Sequence, residues 1–171
     1  CTKGRNQAGN QNFTHIEQAV IHTVYHTDSQ HSPHYMEIQP EFQKLLNSDF
    51  AQYTDRELME AFITVSSNNN RKDELLDFYE TQAKAFDESL AEALAPEVFE
   101  DKSYESQYLL ADTINQQMHR VFLRRYNKNS FTFADLKDTQ SYDCVSASLL
   151  YAALLTRCGI PCGAIETSDH V

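Results

Sequence analysis

The sequence predicts an α+β fold that is mostly helical, with helices first and strands last. Three observations predict it. Gly and Pro are scarce, at four each in 171 residues, while Glu, Gln, Ala and Leu are abundant, so little interrupts long helices. Apolar residues recur at helical spacing through most of the first 125 positions. After Gly159-Ile160-Pro161 the segment CGAIET has strand character instead, and helices followed by strands is an α+β order.

The totals set outer limits. A chain of 171 residues supports one domain with a real core, or a small domain plus a tether. With 41% apolar and 23% charged residues it is globular. A net charge of −11 repels phosphates, which argues against nucleic acid as a partner and against a purely electrostatic hold on anionic lipid. No stretch reaches the length of apolar sequence that spans a bilayer.

Residues 1–12 are polar and read as a flexible tether. The first residue is Cys1, not Met. Bacterial lipoprotein maturation leaves such a cysteine, which carries the lipid; the alternative is an arbitrary boundary. On the first reading the protein is a lipoprotein of the bacterial cell envelope, touching the membrane only through a lipid on Cys1, in a compartment that permits disulfides.

Residues 13–125 read as a helical region. Phe13, Ile16, Val20, Ile21, Val24 and Tyr25 share one side of a helix over 13–27. Pro40 suits a first helical position, with Phe42, Leu45 and Leu46 inward. Thr54 to Glu57, TDRE, is a capping box opening a helix that buries Leu58, Ala61, Phe62 and Val65. A long helix over about 72–94 carries Leu75, Leu76, Tyr79, Ala83, Phe86, Leu90 and Leu94 inward, with Pro96 past its end. Another runs over about 104–125, with Leu109, Leu110, Thr113, Ile114, Gln117, Val121 and Phe122 inward and Arg120, Arg124 and Arg125 near its C-terminal end. Residues 126–140 read as a loop with one helical turn at Phe133 to Leu136.

The segment after Asp143 is apolar on nearly every side, from Val145 to Leu155, so it predicts a central buried helix. Asp143 is its N-cap, Gly159 its C′ residue, and Pro161 prevents continuation. Cys144 then occupies the first turn, where unpaired amides and the helix dipole favour thiolate. The Asp143 carboxylate opposes this. The bland alternative is a small buried hydrophobe.

The pattern DCVSASLLYAALLTRCGIP…DHV resembles the transglutaminase-like superfamily, a branch of the papain-like cysteine-nucleophile fold. The matching positions are Cys144, Ala147, the leucines at 149–150 and 154–155, Arg157, Gly159-Ile160-Pro161 and His170. The likeness spans 126–171. It implies that this stretch is the first half of a transglutaminase-like core, with the first strands of an antiparallel sheet, Cys144 as nucleophile and His170 as general acid/base. It further implies that an Asp or Asn orienting the imidazole lies on a strand beyond Val171, so that the missing C-terminal part of the domain is itself a partner. Tyr142 stands where the family often has Gly, and Cys162 where Ala or Val commonly follows the Gly-Ile-Pro. Gln140 or Tyr142 is a candidate for oxyanion help beside the Cys144 amide.

The expected activity is therefore acyl transfer or hydrolysis on peptide or protein amides, cell-wall peptide among them, with no cofactor and no metal. The alternative is a non-catalytic binding or scaffold lipoprotein that keeps the fold. Two smaller features stay open. Cys158 and Cys162 are either a disulfide or two small buried thiols. His22 and His26 at i, i+4 are either a transition-metal pair or part of a solvated polar face.

Overall fold

The computed structural model describes residues 21–23, 50–66, 69–130 and 132–166. The elements are β1 (Ile21–Thr23), α1 (Asp55–Ser66), α2 (Lys72–Ala93), α3 (Pro96–Glu100), α4 (Tyr104–Val121), β2 (Arg125–Tyr126), α5 (Phe133–Thr139), β3 (Ser141–Tyr142), α6 (Cys144–Arg157) and β4 (Ala164–Glu166). The protein is predominantly helical and broadly α+β.

Local chemistry sets most helix ends. Thr54 caps α1: the Glu57 amide donates to Thr54 Oγ1 at 3.2 Å, and the Thr54 amide donates to Glu57 Oε2 at 2.8 Å. Pro96 closes the gap after α2 by starting α3 at its first turn, where a missing N–H costs nothing. The helical turn expected at Phe133 becomes a full helix, α5, because Thr132 and Asp135 form a second capping box. α6 ends in a Schellman motif: Gly159 takes φ +71°, its amide donates to Thr156 O at 3.0 Å, and the Ile160 amide donates to Leu155 O at 2.9 Å.

One apolar cluster holds α1, α2, α4, α5 and α6 together. α6 lies at its centre, with Leu150, Ala153, Leu154 and Leu155 fully buried, and packs against α1, α4 and β1. Phe133 from α5 fills the space between α1 and α2, with its ring centroid 6.0 Å from Phe62, 5.7 Å from Phe78 and 6.4 Å from Tyr79. Arg157, at the end of α6, ties the helices at their rim. It donates to Asp55 Oδ2 at 2.7 Å and in a bidentate manner to Asp87 at 2.9 and 2.7 Å. Asp55 also accepts from the buried Tyr79 hydroxyl at 2.8 Å. Burial, followed by the Asp55 charge, pushes that phenol well above its ordinary range.

Several expectations are corrected. Ile21–Thr23 is a strand rather than part of a helix over 13–27; Ile-His-Thr-Val-Tyr is rich in β-branched and aromatic residues, which suit a pleated surface. The described strand pairs are parallel rather than antiparallel: β1 with β4, and β2 with β3. For β2 and β3 the reason is connectivity, since α5 intervenes as a crossover and no tight hairpin joins them. α4 stops at Val121, four residues short of the expected 125, because Phe122 and Leu123 turn inward to the core. Leu109 is exposed, not buried; the inner stripe of α4 is centred on Leu110, Ile114 and Met118. Met59 and Ile63 join Leu58 and Phe62 in the core, whereas the side chain of Val65, the helix at Pro40 to Leu46, and the strand expected at 169–171 lie outside what is described.

Candidate active site

Cys144 is the first residue of α6, half-buried, with its position fixed by a reciprocal cap. The Ser146 amide donates to Asp143 Oδ1 at 2.9 Å, and the Asp143 amide donates to Ser146 Oγ at 3.0 Å. Ser146 is fully buried, and its hydroxyl reaches the Ser130 carbonyl at 3.2 Å, which pins the loop before α5 to the start of α6. The pattern Asp-x-x-Ser was available in the sequence as a capping signal for Ser146. Ser130 was not, because only the tertiary fold brings its carbonyl there.

The electrostatics around Cys144 are opposed. Partial burial pushes its thiol up first, and the Asp143 carboxylate pushes it further; the amides of Cys144 and Val145 pull it down. Among the described groups the upward pushes win, so the helix start does not by itself give a thiolate. Burial also raises the Asp143 carboxyl, partly offset by its bonds to Ser146.

The chain leading into Cys144 runs along β3, which pairs with β2. Arg125 pairs with Ser141 and Tyr126 with Tyr142, and the Asn127 amide donates to Tyr142 O at 2.8 Å. Arg125 also donates from Nε and Nη2 to the buried Ser141 hydroxyl at 3.3 and 3.2 Å. Tyr142 meets the edge of His119 from α4 at 5.7 Å and of Tyr126 at 5.8 Å. His119 was not singled out in the sequence: its place beside the Cys144 lead-in depends on packing between α4 and β3.

Gln140 is the C-cap of α5, exposed, with φ 55° and ψ 28°. Its amide donates to Leu136 O and its carbonyl accepts from the Arg125 amide, each at 3.1 Å. Its backbone thus holds the turn between α5 and β3. No disulfide joins Cys158 to Cys162. Burial pushes the Cys158 thiol up to about 12. Cys162 Sγ lies 3.6 Å from Ala152 O and 3.7 Å from Thr156 Oγ1. Cys1, His170 and His26 lie outside the described residues. His22 sits in β1, and the pairing expected with His26 falls outside the described residues. Among the described residues no group of three or more His, Cys, Asp or Glu is placed to hold a metal, and no helix is long and apolar enough to cross a membrane.

Comparison with known proteins gives no assignment: no family model, no curated protein and no solved structure matches the chain.

Proposed function

We propose that the protein is a transglutaminase-like cysteine enzyme that cleaves or transfers peptide or protein amides through a thioester on Cys144. One observation carries the reading: Cys144 opens a buried helix with its thiol half-exposed and backbone amides beside it, at the end of a short sheet. The thiol is raised as it stands, so the chemistry needs a base, and His170 is assigned that role. The imidazole takes the thiol proton, and the thiolate adds to the amide carbonyl. The C–N bond breaks as the imidazolium returns the proton to the leaving amine. Water or a second amine then attacks the thioester carbonyl, gives its proton to the imidazole, and releases the thiol. The Cys144 amide, at the start of α6, is assigned to receive the oxyanion.

The raised Cys144 thiol is also the observation that favours a second reading, a binding protein with an unreactive cysteine. A p-nitrophenyl ester separates the two. The enzyme releases one equivalent of nitrophenolate in a burst, leaves the acyl group on the Cys144 peptide by mass spectrometry, and loses both in Cys144→Ala. No burst, or acylation spread evenly over Cys144, Cys158 and Cys162, contradicts the proposal.

A further inference from the structure

The charge of this protein is unevenly placed. It carries 25 acidic against 14 basic residues, yet no Asp or Glu occurs from 113 to 134. Within that span His119, Arg120, Arg124, Arg125, Tyr126 and Lys128 are all exposed. Elsewhere the arginines Arg56, Arg71 and Arg157 are held in ion pairs at 2.7–2.9 Å. Arg120, Arg124 and Lys128 form no ion pair with any described residue, and Arg125 spends its guanidinium on the neutral Ser141 hydroxyl. Lys84 and Lys102 also form no ion pair with a described residue but stand alone among acidic neighbours, whereas Arg120, Arg124, Arg125 and Lys128 fall together on one segment free of Asp and Glu.

That segment adjoins the candidate nucleophile. β2, which holds Arg125 and Tyr126, is hydrogen-bonded to β3, and β3 runs through Asp143 into Cys144. Tyr126 is 60% exposed and rests edge-on against Tyr142 at 5.8 Å, with His119 on Tyr142 at 5.7 Å. Cations beside exposed aromatic rings make a surface for a carboxylate-bearing chain with some apolar bulk.

We propose that this cationic-aromatic surface, from His119 to Lys128, binds an acidic peptide segment and so selects acidic peptides as the substrate class for Cys144. The choice of substrate rests on the thioester reading; the binding itself does not. A peptide is favoured over nucleic acid or an anionic bilayer because the patch is short. A long polyanion or a flat membrane would extend past it onto a protein whose net charge is −11.

The test is fluorescence anisotropy with the full chain at low salt, using labelled peptides of six Glu or six Lys around one Tyr. The Glu peptide binds, the Lys peptide does not, and affinity falls as salt is raised. Arg120→Glu with Arg124→Glu weakens binding at least tenfold, and the Ala pair weakens it less. Lys84→Glu with Lys102→Glu, which changes net charge equally at other exposed positions, leaves it within twofold. Cys144→Ser binds like the wild type, so failure of the thioester chemistry does not register as failure of this surface. Equal loss in both charge-reversed pairs, no preference for Glu over Lys, or tighter binding of a DNA duplex or of vesicles rich in anionic lipid overturns the proposal.

Discussion

At Asp143 one carboxylate has two opposing effects. Its Oδ1 satisfies the Ser146 amide and so defines where α6 begins, which places Cys144 in the first turn. Its charge meanwhile raises the thiol it positions. Asn accepts the same hydrogen bond and caps helices about as well as Asp. Asp143→Asn is therefore expected to keep stability within about 1 kcal/mol in urea titrations while moving the pH midpoint of Cys144 alkylation downward. An unchanged midpoint would mean that the carboxylate charge is not felt at the sulfur. Gln140 offers a second separation. A left-handed conformation costs a residue with a side chain about 1–2 kcal/mol, part of which glycine gives back as backbone entropy. Gln140→Gly is expected to stabilise the protein by up to about 1 kcal/mol. If acylation is retained alongside that gain, the Gln140 side chain has no part in an oxyanion site; a loss of acylation with the gain would restore one.

Elements were legible where their signals are local. The Thr54–Glu57 box, the inner stripe of α2 and both ends of α6 lie where the sequence puts them, because capping residues, Gly159 and a 3.6-residue period act within a few positions. β1 was not legible. Its apolar residues fit a helical face as well as a strand, and only pairing with β4, more than 140 positions away, decides between them. Parallel pairing was likewise hidden, since α5 reads from sequence as a loop with a single turn. Arg157 was legible as a helix-end cation, but its partners Asp55 and Asp87 come from two other helices. Arg157→Met leaves two carboxylates without their cation, one of them largely buried with Tyr79. Equilibrium unfolding should show a loss of about 1–3 kcal/mol, and a double-mutant cycle with Asp55→Asn should give a non-zero coupling. Additive losses would mean that the latch contributes nothing as a pair.

At the scale of the molecule, one core among the described residues joins the helices to the Cys144 segment, so the site depends on packing far from it in sequence. α2 and α5 are also joined at the surface. Arg71 donates to Asp138 at 2.7 and 2.9 Å and to Glu74 at 2.9 Å, and Lys137 adds a further bond to Glu74. These cations hold Glu74 down to about 2 and lower Asp138 as well. A depressed carboxyl stabilises the fold above its ordinary value, about 4, and that contribution disappears as pH falls through the folded value. Arg71→Ala should therefore lower the Tm at pH 6, with the gap to wild type closing between about pH 4 and about pH 2. A gap that is constant with pH would assign the effect to packing. Of the candidate site, Cys144 and its cap were legible, because a helix start is a local pattern. His119 and the Ser130 carbonyl were not, because they arrive through the packing of α4 and of the loop before α5.

The central claim is that Cys144 is a nucleophile activated by an imidazole, against surroundings that otherwise hold its thiol up. The most direct test is the rate of iodoacetamide labelling of Cys144 against pH, read by peptide mass spectrometry in the wild type and in His170→Ala. The account predicts that wild-type Cys144 labels well below pH 8, ahead of Cys158 and Cys162, and that His170→Ala moves its midpoint up past that of an ordinary thiol. Slow labelling of all three cysteines, with a Cys144 profile unchanged by His170→Ala, would contradict it.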